Sequence, residues 1–77
     1  MRLVLYRSDH CPACRRLSAE LRRLCAGLGG SLEEKDVVVH LEEAAALGVT
    51  RPPAVAMNGR LLGQGSALLA KLRKLHR

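Results

Sequence analysis

The sequence has no tryptophan, no phenylalanine and one tyrosine, Tyr6. Its core must therefore be aliphatic, and it lacks the aromatic platform on which single-stranded nucleic acid stacks. Three cysteines are too few, and odd in number, for the disulfide framework of a small secreted domain. The first apolar run, Leu3 to Tyr6, stops at Arg7, too short for a secretory signal. Nothing later approaches the ~20 apolar residues of a membrane span. A cytoplasmic protein with thiols reduced at rest is the expectation.

What is present is a single small domain, residues 1–77. A chain of this size buries only ~60–65% of its unfolded surface, so its core is thin. A monomer is expected. The formal charge of +6 is unevenly placed. Residues 1–30 carry +4, residues 31–50 carry −4, and residues 51–77 carry +6 with no acid. Without a nucleic-acid motif, this pattern is read as solvated helix faces, or as steering of an anionic small thiol or an acidic protein partner. Neither nucleic acid nor membrane is expected as a partner.

Periodicity supplies the elements. Leu3–Tyr6 reads as a buried strand. A helix follows from about Pro12 to Gly27, with Cys14, Leu17, Leu21, Leu24, Cys25 and Leu28 on its apolar stripe. Gly27, Gly29 and Gly30 stop it. A second strand lies within Ser31–Val38, and Leu41–Leu47 reads as a short helix with Glu42 and Glu43 at its positive end. Pro52-Pro53 breaks regular structure. Ala54–Met57 and Arg60–Gly63 flank Asn58-Gly59, the strongest short hairpin signal, because both turn residues need positive φ. Ser66 is a candidate N-cap for a last helix with a Leu68, Leu69, Leu72, Leu75 stripe. The order strand, helix, strand, helix, strand, strand, helix gives an α/β fold. The first two strands are parallel through a right-handed crossover, and the hairpin is antiparallel.

The chemistry centres on Asp9-His-Cys-Pro-Ala-Cys-Arg-Arg16. Cys11 falls between strand and helix, and Pro12 suits the first helical position, where a missing N–H costs nothing. Cys14 is one turn on. A Cys11 thiolate there meets unpaired N–H groups and the positive end of the helix dipole. That setting lowers a thiol pKa from ~8.5 toward ~3.5–7.5. His10 and Arg15, with Arg16, add donors or positive charge, and Asp9 opposes them. Cys11 is thus the expected nucleophile and Cys14 the shielded resolving thiol. A zinc site wants four ligands, usually two pairs, and only one pair is present, so no metal is assigned. Two packed structural cysteines are the plainer alternative. Cys25 lies ~16 Å along the helix from Cys14, too far to pair with it, and is read as a core residue.

With the cysteine pair in place, the sequence resembles a glutaredoxin, or a near relative in the thioredoxin superfamily. Three stretches carry the resemblance: Cys11-Pro-Ala-Cys14 after a strand; Gly48-Val-Thr-Arg-Pro-Pro-Ala54; and Val55-Ala-Met-Asn-Gly-Arg-Leu-Leu-Gly-Gln-Gly65. It implies a thioredoxin-like βαβαββα fold, a four-stranded mixed sheet flanked by three helices. It also implies a dithiol–disulfide oxidoreductase with no bound cofactor, re-reduced by glutathione or by a thioredoxin-reductase-type enzyme. Its substrate would be a disulfide-containing protein or a small thiol. By the same resemblance Pro53 is cis, faces the cysteine pair and marks the substrate wall. The residue before it normally offers an N–H; here that residue is Pro52, which keeps only its carbonyl. Arg7 and Arg51 are candidates for binding a carboxylate. The rival reading is a binding or adaptor module of the same fold, its cysteines holding a metal or an iron–sulfur cluster with little turnover.

Overall fold

A computed structural model describes residues 1–65 together with Leu68 and Lys71. Its elements are β1 (Arg2–Arg7), α1 (Pro12–Leu28), β2 (Ser31–Asp36), α2 (Leu41–Leu47), β3 (Ala54–Met57) and β4 (Arg60–Gln64). The strands form one sheet in the order β2-β1-β3-β4. β1 and β2 are parallel, with Leu3 opposite Leu32; β1–β3 and β3–β4 are antiparallel. The mixed four-stranded sheet is the expected one. Of the expected third helix, Leu68 and Lys71 are described and helical. Its N-cap Ser66 and the rest of its stripe lie outside the described residues.

The two central strands are apolar on both faces, which is why neither alternates between apolar and polar. Leu3, Leu5 and Val55 turn to one face and pack with Leu17, Leu21, Leu24 and Cys25 of α1 and with Leu68. Tyr6, Ala54 and Ala56 turn to the other face and pack with Ala44 of α2. The small residues there let the short helix approach closely. β2 lies at the sheet edge and only partly buries Leu32, so its sequence shows weak alternation. Leu28, expected on the buried stripe of α1, is exposed. It is the last helical residue, and Gly29 in the left-handed region turns the chain away at that point.

The hairpin turn has Asn58 at φ 51° and Gly59 at φ 86°, as a two-residue turn of this kind requires. Beyond it the β3–β4 register shifts between Val55 and Ala56: Ala56 pairs with Leu61 and Val55 with Gly63. Leu62 is thus the extra residue of a bulge. This shift sets Gln64 opposite Ala54, directly after the Pro52–Pro53 pair.

The lone tyrosine ties three elements together. Tyr6 is 2% exposed, and its hydroxyl donates to Glu43 of α2 at 2.5 Å. Lys35 of β2 donates to the same carboxylate at 2.7 Å. Burial first, and then the Glu43 hydrogen bond, push the phenol up to about 12. Because the folded value lies above the unfolded one, this contribution to stability is complete below pH ~10 and is lost as pH rises through about 12. Absorbance at 295 nm should therefore titrate near 12 in the folded protein. Denaturant midpoints should fall across the same window, and Tyr6→Phe should flatten that fall.

Candidate functional site

The site is built on the start of α1. Cys11 is its N-cap, with extended backbone (φ −113°, ψ 96°), and Pro12 is the first helical residue. The Cys14 N–H donates to Cys11 Sγ at 3.1 Å, and the Arg15 N–H donates to the Cys11 carbonyl at 3.3 Å. The Cys11 sulfur thus takes the place that a serine or aspartate oxygen fills at an ordinary helix start. Cys11 and Cys14 are joined as a disulfide, their Cα atoms 5.2 Å apart. Cys14 is 2% exposed, whereas Cys11 is half-buried, so an incoming reactant meets Cys11 first. His10 holds a left-handed φ of 60°, which turns the chain from β1 into the helix.

Cys25 offers an internal contrast. It is buried, unpaired and far along α1, and burial pushes its thiol up. One helix therefore carries a disulfide-bonded pair at its start and a buried, unpaired thiol in its body.

Two depressions lie along α1, and only the first is lined by Cys11 and Cys14. A cleft of about 320 Å³ is lined by Cys11, Cys14, Arg7, His10, Arg15 and Glu34, among others. Glu34 accepts from Arg22 at 2.8 Å and lies 3.6 Å from Arg7 Nε. The Arg22 hydrogen bond leads in holding its carboxyl below the usual range; Ser18 and Arg7 add to the effect, and burial opposes it. Arg7 Nε is buried with no hydrogen-bond partner among the described residues.

A larger open groove of about 840 Å³ runs along the other side of α1. Ala13, Arg16, Leu17 and Arg23 form one wall; Arg51, Pro52, Pro53 and Gly65 form the other. The Pro52–Pro53 peptide bond is cis, as the resemblance implies. Pro53 is buried, and it shares this groove with Ala13, the residue between Pro12 and Cys14. The structure does not bring Arg7 and Arg51 together: Arg7 lines the cysteine cleft, and Arg51 lines the proline groove. Sequence reasoning missed Glu34 and Gln64. Glu34 sits on a weakly patterned edge strand, and Gln64 is isolated between glycines. Among the described residues, no group of three or more His, Cys, Asp or Glu side chains could hold a metal. No helix among them is long and apolar enough to cross a membrane.

The architecture has solved counterparts. Thioredoxin 1 from Thermosipho africanus superposes with a TM-score of 0.71 at 14% identity, over 97% of this chain and 93% of its own. Mitochondrial thioredoxin 3 from Saccharomyces cerevisiae, in its oxidised form, gives 0.71 at 21% identity, over 95% of this chain and 73% of its own. The chain has a thioredoxin-like fold. A malarial protein shares it, with a TM-score of 0.64 at 20% identity over 95% of this chain and 93% of its own. No protein-family model and no curated protein matches the sequence. In this thioredoxin-like fold the cysteine pair occupies the turn from the first strand into the first helix. The cis proline leads into the third strand, across a groove from that helix.

Proposed function

We propose that the protein is a glutaredoxin-like thiol–disulfide oxidoreductase acting through Cys11 and Cys14. The observation that carries this reading is the disulfide at the N-terminus of α1, with the Cys14 N–H directed at Cys11 Sγ. In the reduced protein that N–H and the helix dipole favour a Cys11 thiolate. The thiolate attacks one sulfur of a substrate disulfide. The substrate S–S bond breaks, the other substrate sulfur leaves as a thiolate, and a mixed disulfide with Cys11 remains. Cys14, deprotonated in turn, attacks Cys11 Sγ; the second substrate sulfur leaves, and the Cys11–Cys14 bond closes. Two electrons pass from the dithiol to the substrate. Glutathione, or a thioredoxin-reductase-type enzyme, returns them.

The substrate is a disulfide-bearing protein or small thiol, held in the groove by Pro53, the Pro52 carbonyl and Arg51. Arg7, His10 and Arg15 line the cleft beside Cys11, where they favour negative charge on sulfur. The cytoplasm, a monomeric state and the absence of a bound cofactor belong to the same proposal.

Stoichiometric trapping tests it. Reduced Cys14→Ser protein mixed with oxidised glutathione, or with a protein containing one accessible disulfide, should retain a covalent adduct on Cys11. Cys11→Ser protein should retain none. Equal adducts on both variants would refute the assignment of roles.

A further inference from the structure

The segment from Gly48 to Pro53 carries the groove wall but belongs to no helix or strand. Its backbone groups therefore need partners from elsewhere. Gly48 donates back to the Ala45 carbonyl and Val49 to the Ala44 carbonyl, both in α2. Pro52 and Pro53 have no N–H. The two remaining donors, Thr50 and Arg51, both point at one atom: their N–H groups donate to Gln64 Oε1 at 2.7 and 3.1 Å. The same side chain donates from Nε2 to the Gly48 carbonyl at 3.2 Å. A primary amide meets this demand with one group, because its oxygen accepts two bonds while its nitrogen donates. Next in sequence, the Gly65 N–H donates to the Pro53 carbonyl at 2.9 Å. Gly65 also lies under the Arg51 side chain, so that a Cβ there would stand 3.3 Å from Arg51 Cδ.

We infer that Gln64 is the positioning residue of the substrate groove. It fixes the segment before the cis proline, and so places the Arg51 guanidinium and the Pro52 carbonyl across from Ala13 and Arg16. Because Pro52 offers no N–H, recognition at this wall falls to an acceptor and a cation. The wall therefore favours a peptide-like disulfide that presents an N–H donor and a nearby carboxylate. The register shift in β4 makes the arrangement possible, since it sets residue 64 opposite Ala54 at the end of the proline segment.

This inference rests on the proposed redox reading, and its test separates the two. Gln64→Leu removes all three side-chain hydrogen bonds at similar volume; Gln64→Glu keeps the two accepted ones. With a peptide disulfide bearing a carboxylate as substrate, Gln64→Leu should raise KM about five- to tenfold while kcat stays within about twofold. Gln64→Glu should recover most of the loss. Alkylation of reduced Cys11 by iodoacetamide should be unchanged in both. In the wild-type protein, the Thr50 and Arg51 amides should be protected from hydrogen exchange, and Gln64→Leu should lose that protection. An unchanged KM in folded Gln64→Leu overturns the inference, as does a parallel fall in kcat and alkylation rate. Unprotected Thr50 and Arg51 amides in the wild type overturn it even where Gln64→Leu does not fold. A wild-type protein with protected amides but no exchange activity would instead sink the redox reading and leave the positioning intact.

Discussion

Cys11→Ser should abolish disulfide exchange, lowering the rate by at least about 10³-fold, as removal of a covalent nucleophile does. The loss should be chemical rather than structural. Cys11 is the N-cap of α1, and its sulfur accepts the Cys14 N–H. Serine is among the best N-cap residues, and its oxygen can accept the same bond, so the helix start survives. Far-ultraviolet circular dichroism and the denaturant midpoint should therefore match those of the reduced wild type, which is the proper reference because the variant cannot close the disulfide. A variant that unfolds would show that the sulfur is structural. A variant that keeps more than about a tenth of the rate, well short of a nucleophile's loss, would show that another thiol does the chemistry.

Leu21→Ala should be the most damaging of the conservative core changes. Leu21 is fully buried where α1 meets Leu3, Leu5 and Val55 of the central strands. Truncating such a leucine costs about 2–5 kcal/mol, through lost transfer energy and the cavity left behind. The total stability of a domain this size is roughly 4–12 kcal/mol, so the change removes a large share of it. The melting temperature should fall by roughly 10–40 °C. Arg23→Ala, on the opposite, solvent-exposed face of α1, should shift stability by no more than about 0.5 kcal/mol. Equal, small effects for the two would mean that α1 does not rest on the sheet as described.

Much of this was legible in the sequence. The α1 stripe, the glycines at 29 and 48, and the Asn58-Gly59 turn act locally, through helix periodicity and left-handed φ, and the structure places them as expected. The Cys11–Cys14 arrangement was legible for the same reason: a cap, a first-turn proline and a residue one turn on are neighbours in sequence and in space. Leu28 misled because periodicity says which face a residue occupies, not whether the sheet still lies beneath it; at the last residue of α1 it does not. The limits of β2 were weak because an edge strand with two partly solvated faces has little to alternate. The roles of Gln64 and Glu34 were illegible because each depends on long-range register. Gln64 reaches the proline segment only through the β4 bulge, and Glu34 meets Arg22 and Arg7 only once α1 crosses over β1 and β2. Arg7 and Arg51 were grouped by charge, and the body of α1 separates them into two depressions.

The proposed exchange chemistry depends most directly on the ionisation of one thiol, Cys11. The decisive measurement is the rate at which iodoacetamide alkylates each cysteine of the fully reduced protein, resolved by mass spectrometry from pH 4 to 10. Cys11 should react first, with a midpoint well below ~8.5. Cys25 should stay unreactive through neutrality, because burial holds its thiol protonated. A Cys11 midpoint at or above ~8.5 would contradict the account. So would a Cys25 that reacts as fast as Cys11.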